Sequence, residues 1–312
     1  MQSSPHSNLD KLVYLWLSYQ NISMFNIATV EGRRATVEIG VNIFMDIQRL
    51  IMPDLSMEVG AREASYSRQM RHLFPKLSIV AVEGSPEAHS YYAKQHDFSS
   101  QNIDYLQCVV SDHSGVVDFN IVKDRVPNDT VPGTNGRNSL NHRDYSKSKF
   151  DYDTIQVQSL TGDELLNRYN AYNAALWIDV EGSAKQVLLS LEKSLQQQRI
   201  AAIYIELESK EIWHDQWSCY DTMSYLLMYN FIPIYKDTEV EVQGNFIFIR
   251  NDLIDGYLTD IISKNIYNND LIHLKIKELD EKLEQVNNSI CELQSNYVAV
   301  LKVVKSLFAQ QK

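Results

Sequence analysis

The 312-residue chain has no cluster of basic residues: 29 Lys and Arg stand against 40 Asp and Glu, a formal charge of −11. Binding to DNA or RNA needs a positive footprint, so nucleic acid is not an expected partner. No apolar run reaches the roughly 18 residues of a membrane span, and none of the N-terminal sequence pairs a basic region with an apolar stretch. Residues 9–19, LDKLVYLWLSY, carry Asp10 and Lys11 and read as an amphipathic helix instead of a signal peptide. There are only three cysteines, Cys108, Cys219 and Cys291. Their odd number and lack of metal-type spacing favour a reduced, cytoplasmic protein. The glycine pattern G-x-G-x-x-G and a glycine-rich loop ending in Lys-Ser/Thr are both missing, which argues against a dinucleotide fingerprint and a phosphate loop.

At 44% hydrophobic residues the chain can bury one large core or two modest ones. From about residue 55 to 250, β-rich runs alternate with helical patterns. Strands are expected at 55–59, 77–83, 103–109, 175–180, 200–206, 231–235 and 245–249. That alternation predicts an α/β fold, a Rossmann-like, mostly parallel seven-stranded sheet with helices on both faces. Two further strand-like pieces, 116–122 and 154–160, bracket a polar segment, 123–150, rich in turn residues and of a length that reads as a functional lid or a disordered loop. Beyond residue 265 the pattern changes. Apolar residues from Ile272 to Leu307 follow a 4–3 spacing with no Gly or Pro, and Lys275 and Asp280 sit at g and e positions. A coiled-coil helix that makes a homo-oligomer through residues 272–307 is expected. The domains read as an N-terminal helical extension (1–35), a central domain (36–255) and the coiled coil (265–312).

Two stretches could be the first ligand-binding turn, TVEIGVNIF (36–44) and SMEVGAREAS (56–65). Glu58 lies 25 residues before Glu83, the spacing of a strand–turn–helix–strand unit whose second strand ends in an acid that grips a ribose. After Gly40 no second small residue follows, so TVEIGVNIF reads as a flanking strand or turn leading into a helix. The loop at 58–66 is the candidate site. Its pattern, E-x-G-x-x-x-A, resembles the first motif of S-adenosylmethionine-dependent methyltransferases.

Read in order, MEVGAREASYS (57–67), VAVEGSPEA (80–88), VVSDHSGVVDF (109–119), NSL (138–140), VQSLTGDELL (157–166), LWIDVEGSAKQVL (176–188) and IYIELE (203–208) resemble the FkbM-type methyltransferase family over roughly residues 36–250. The resemblance implies that S-adenosyl-L-methionine is the cofactor. It implies that Glu58, Gly60, Ala61, Arg62 and the backbone through Tyr66 and Ser67 line the methionine end. Glu83 would accept hydrogen bonds from the ribose hydroxyls, Gly84 and Ser85 would let the chain turn beneath the adenosine, and Val110, Ser111 and Asp112 would flank the adenine. Asp179 would face the sulfonium. Three positions depart from the family: Arg62 replaces Asn, Ala64 replaces Gly, and Trp177 replaces a Lys. Ala64 strains the loop if its φ is positive, and Arg62 is a candidate partner for the cofactor's carboxylate.

The implied activity is O-methyl transfer to a sugar, polysaccharide or natural-product hydroxyl by in-line displacement. Candidates for the general base are Asp179, Glu181, Glu206, His214 and His142. The polar segment supplies Asn138, Ser139, His142, Arg143 and Tyr145 to recognise a polyol-like acceptor. Asp179, Glu181 and Glu206 are hard oxygen ligands, yet no spacing requires a metal and none is assigned; a more ordinary task for Glu181 is to cap the helix that follows Gly182 and Ser183. The alternative reading is a catalytically weakened domain that acts as a coiled-coil scaffold.

Overall fold

The computed structural model describes residues 28–123, 136–143, 151–240, 242–266, 281–284, 286 and 289–290. The chain divides into two compact units, Met1–Ile261 and Ile262–Lys312. In the first, helix α1 (Val30–Ile51) is followed by β1 (Leu55–Val59), α2 (Ser65–Leu73), β2 (Ser78–Glu83), α3 (Pro86–Gln95) and β3 (Ile103–Gln107). Then come β4 (Val109–Val110), β5 (Gly115–Val122), β6 (Tyr152–Leu160), α4 (Gly162–Arg168), β7 (Ala174–Ile178), α5 (Ala184–Leu189) and α6 (Glu192–Gln196). Strands β8 (Ile200–Glu208), β9 (Phe231–Lys236) and β10 (Gln243–Arg250), with α7 (Cys219–Met228) between β8 and β9, complete the sheet; α8 (Gly256–Ile266) starts in the first unit and ends in the second.

The seven-stranded sheet has the order β3-β2-β1-β7-β8-β10-β9, parallel except for β10, which runs antiparallel to both neighbours. The central strands are buried without alternation and are mostly apolar: every residue of β1 is buried, Ser56 and Glu58 included, as are Ile200 to Ile205 of β8. Strands covered by helices on both faces show such continuous burial instead of an alternating pattern. This is the mostly parallel α/β sheet expected from the sequence. The expected strand 103–109 is interrupted, however. It pairs with β2 only to Gln107, and β4 leaves to join a separate sheet of order β4-β6-β5. The two extra strand-like pieces form the antiparallel part of that small sheet, with Val117 opposite Val157.

TVEIGVNIF is neither a strand nor a turn. It lies in the middle of α1, a 22-residue helix capped by the Thr29 hydroxyl, which accepts the Gly32 N–H at 3.0 Å. A periodicity of three and four wins over the β-branched composition, because Thr36, Ile39, Ile43 and Ile47 are buried along one face. Gly40 sits where a Cβ would come within 2.9 Å of the Tyr235 ring, so α1 approaches β9 closely at that point. Tyr235 then donates its hydroxyl to the Thr36 carbonyl at 2.7 Å. Phe44 is fully buried against Tyr66, Trp177 and Tyr204. The helix therefore belongs to the sheet domain and runs unbroken through residue 36.

The apolar seam expected over 272–307 lies mostly outside the described residues, as does the expected helix at 9–19. Residues 281–284, 286 and 289–290 are helical, and Leu283, Val286 and Ile290 are exposed in the single chain. No helix among the described residues is long and apolar enough to cross a membrane.

Phe44→Ala leaves a cavity beneath α1 and is expected to cost about 3–5 kcal/mol, measured by urea unfolding. A loss below ~1 kcal/mol would show that α1 is not part of the cooperative core.

Candidate active site

The site lies at the carboxyl ends of β1, β2, β7 and β8, where open parallel sheets present their loops to ligands. At the exit of β1, Gly60 takes φ +82°, and a Cβ there would stand 1.7 Å from the Asp179 carbonyl oxygen. The two strand exits meet backbone to backbone. The Asp179 N–H donates to the Val59 carbonyl at 2.9 Å, while Gly60 and Ala61 N–H groups both donate to Val82 at 3.0 and 2.9 Å.

Left-handed backbone clusters around this contact. Arg62 (φ 44°), Ala64 (φ 51°) and Glu181 (φ 48°) all take a conformation that costs L-residues of order 1–3 kcal/mol. Ala64 therefore adds strain to the loop. It is also the N-cap of α2 with no side-chain acceptor, and Glu58 supplies what it lacks, accepting the Ser67 N–H at 2.8 Å. Glu58 thus caps α2 from within and does not line the cavity. Burial pushes its carboxyl up to about 8, partly offset by the hydrogen bonds from Ser67 and Tyr66. Tyr66 turns inward too. Its ring stacks on Trp177 at 4.5 Å, and its hydroxyl accepts from Gln48 at 2.6 Å.

Glu83, at the end of β2, is held by backbone. Its two carboxylate oxygens accept the Arg62 and Ser85 N–H groups, each at 2.7 Å. Burial raises its pKa, and those two bonds and the Arg62 charge work against the rise. Arg62 itself stands 6.0 Å over the Tyr92 ring and 3.7 Å from the Glu63 carboxylate. Beyond Glu83, Gly84 closes a narrow slot, where a Cβ would meet Val109 at 2.7 Å and the Phe119 ring at 2.8 Å.

At the exit of β7 the chain turns through Glu181 and Gly182, whose Cβ position is filled by Trp213. The polar segment braces this turn. The Ser139 hydroxyl donates to the Glu181 carbonyl at 2.7 Å and lies 3.0 Å from the Ser183 hydroxyl; the Asn141 amide donates to the Gly182 carbonyl at 2.9 Å. Asn138 accepts the Val122 N–H at 3.0 Å, and Ser139 pairs with Asn120 through backbone. The His214 N–H donates to the His142 carbonyl at 2.8 Å, so the two expected histidines are neighbours, though neither lines the cavity. The Arg143 guanidinium stands 5.6 Å over the Trp213 ring. Tyr145 lies outside the described residues. Glu181 does not cap α5: the N-cap is Ser183, whose side chain makes no capping bond to the helix, and Glu181 faces the cavity instead.

Between these turns is a cavity of about 270 Å³. Its walls are Gly60, Arg62, Val82, Glu83, Gly84, Val109, Val110, Phe119, Leu140, Asp179, Glu181, Glu206 and Glu239, among others. Ser111 and Asp112 follow Val110 but are not in the wall; Ser111 donates its N–H to Leu160 and Asp112 turns to His113. Asp179, Glu181 and Glu206 each bring an oxygen within 4.8 Å of the others. Burial pushes Asp179 up to about 7, helped by the Glu239 charge and resisted by a hydrogen bond with Glu206. Glu181 and Glu206 are raised by burial and then by Asp179, and Glu208 rises to about 7 against a hydrogen bond from the Trp213 indole. Glu239 and Phe119 escaped the sequence reading. Glu239 is one of several acids in the β9–β10 turn with no motif to single it out, while Phe119 ended a quoted motif without a role.

Residues 51–233, more than half of the chain, match the family model described as the methyltransferase FkbM domain. No curated protein sequence matches. Among solved structures, the chain is similar to the methyltransferase FkbM from Methylobacillus flagellatus KT (12% identity, 62% of this chain and 43% of that one, TM-score 0.37). It is also similar to EvdMO1 (12%, 67% and 40%, 0.38) and to a putative RNA methyltransferase from Pyrococcus horikoshii (9%, 70% and 85%, 0.34). The chain thus spans less than half the length of the first two. At these identities and scores the likenesses add nothing to the family match.

Gly60→Ala is expected to destabilise the protein by about 3 kcal/mol or more, because strain and overlap with Asp179 add; an unchanged melting temperature would refute the backbone contact. Glu58 predicts a pH dependence. Its folded pKa lies above its unfolded value, so the native state binds more protons, and stability is lost as pH rises from about 4.5 to 8. Melting curves should show that decline, and Glu58→Gln should make it shallower, the other buried carboxyls supplying the rest; an equal slope in the variant would mean those groups carry all of it.

Proposed function

The chain belongs to the FkbM methyltransferase family, and we propose that it transfers a methyl group from S-adenosyl-L-methionine to a hydroxyl of a sugar, polysaccharide or natural product. The observation that carries this reading is Glu83, a buried carboxylate oriented by two backbone N–H groups beside the Gly60 turn. The residues present fit the cofactor. Glu83 would take the ribose hydroxyls, and Val109, Val110 and Phe119 give the adjoining cavity wall the apolar character that a purine ring needs. Gly60 leaves backbone bare where a Cβ would not fit.

S-adenosyl-L-methionine, when bound, supplies a methyl group on an electrophilic sulfonium. The chain's task is to align the acceptor hydroxyl, exclude water and accept its proton. Asp179 is a cavity-wall carboxylate whose negative form favours a nearby cation. The proton is best accepted within the Asp179–Glu181–Glu206 group, where Asp179 titrates near neutral pH. His214 and His142 are a less direct choice, since neither is in the cavity wall. Acceptor recognition is assigned to the braced polar segment around Asn138 and Ser139, and the catalytic unit takes in α1.

Leu283, Val286 and Ile290, three and four residues apart and exposed in the single chain, support an oligomerising tail. The scaffold reading draws on Ala64, whose left-handed conformation strains the cofactor loop.

Calorimetric titration with S-adenosyl-L-methionine should give micromolar binding, weakened about 100-fold in Glu83→Ala, as expected for losing charge-assisted bonds. Absence of binding by the native chain would overturn the enzyme reading and leave the scaffold.

A further inference from the structure

Three carboxylates reach one point from two strand exits: Asp179 and Glu181 just past β7, and Glu206 in β8. One oxygen of each lies within 4.8 Å of the other two. Around a calcium-sized ion with oxygens at about 2.4 Å, neighbouring ligands stand roughly 3.4 Å apart and opposed ones roughly 4.8 Å. Three oxygens held within 4.8 Å of one another are close enough for one hard divalent cation to draw together.

A second observation points the same way. The Glu206 Oε1 atom is fully buried and has no hydrogen-bond partner among the described residues, while its side chain lines the cavity. Buried carboxylate oxygens are ordinarily satisfied, by donors or by a metal, because leaving one bare is costly. The surroundings deepen the deficit. Glu208 and Glu239 add negative charge around Glu206, and Arg143 and Arg137 act on Glu181 from the other side.

We propose that Asp179, Glu181 and Glu206 form a site for one hard divalent cation of the calcium or manganese class. Each carboxylate contributes one oxygen and keeps its second for other partners. The remaining positions on the ion open to the cavity, where water or an oxygen-bearing acceptor completes the shell. The site does not depend on the methyltransferase reading, which stands or falls on cofactor binding.

The test uses the full-length chain, stripped with a chelator and dialysed, then titrated separately with Ca²⁺, Mn²⁺ and Mg²⁺ by calorimetry, with Mn²⁺ also followed by electron paramagnetic resonance. The expected result is one ion per chain. Binding should weaken at least ~30-fold in Glu206→Gln and in Glu181→Gln, both checked for folding by circular dichroism. Failure to bind any of the three ions at about 10 mM, or binding unchanged in both folded variants, would overturn the proposal; the first outcome would leave a proton shared between Asp179 and Glu206 as the occupant of the gap. S-adenosyl-L-methionine titrated into the metal-free chain reports on the cofactor site alone, so failure of one reading is distinguishable from failure of the other.

Discussion

Backbone contact between the exits of β1 and β7 is the constraint on which the rest of the site depends. Gly60 and the Asp179 carbonyl are so close that no side chain fits between them, and the Asp179 N–H closes the gap by bonding to Val59. That contact sets where Asp179 stands and sends the loop after Gly60 across the end of β2. There the Arg62 N–H meets Glu83. Two left-handed residues, Arg62 and Ala64, are the conformational cost of that path.

A ring of supporting interactions keeps the arrangement in place. Glu58 and Ser67 tie the strand to the helix it feeds. Ser139 and Asn141 hold the Glu181–Gly182 turn from the far side, with Gln186 donating to the Asn141 side-chain oxygen at 2.9 Å. The polar segment is thus, in its described part, a brace for the Glu181–Gly182 turn. From behind, α1 lays Phe44 onto Tyr66, Trp177 and Tyr204. The Trp177 and Tyr204 rings stack at 3.8 Å, which gives the unusual tryptophan before I-D-V-E-G a packing role.

The collected carboxylates divide by what surrounds them. Glu58 and Glu83 receive backbone N–H donors and serve as fixed acceptors. Asp179, Glu181 and Glu206 have few such donors and face one another. Burial together with like charge pushes protons onto this group. The same physical feature underlies both proposed roles of the group, as proton acceptor and as ligand set for a cation.

Strand exits and their acids were legible in the sequence because parallel strands buried on both faces read as unbroken apolar runs, and each run ends where the backbone meets solvent. The spacing from Glu58 to Glu83 singled out the loop at 58–66 for the same reason. Pairing was not legible in that way. Whether Val109 and Val110 continue β3 or leave for β6 depends on strands distant in sequence. TVEIGVNIF shows a similar limit, since its glycine looked like a turn until the close passage of Tyr235 explained it. Which acid lines the cavity and which caps a helix was likewise decided by tertiary structure: Glu58, the last residue but one of β1, and Glu181, three residues past β7, are both acids near a strand exit, yet one turns inward to Ser67 and the other faces the cavity. Local sequence determined the elements and their chemical groups, while long-range packing decided the direction each side chain takes.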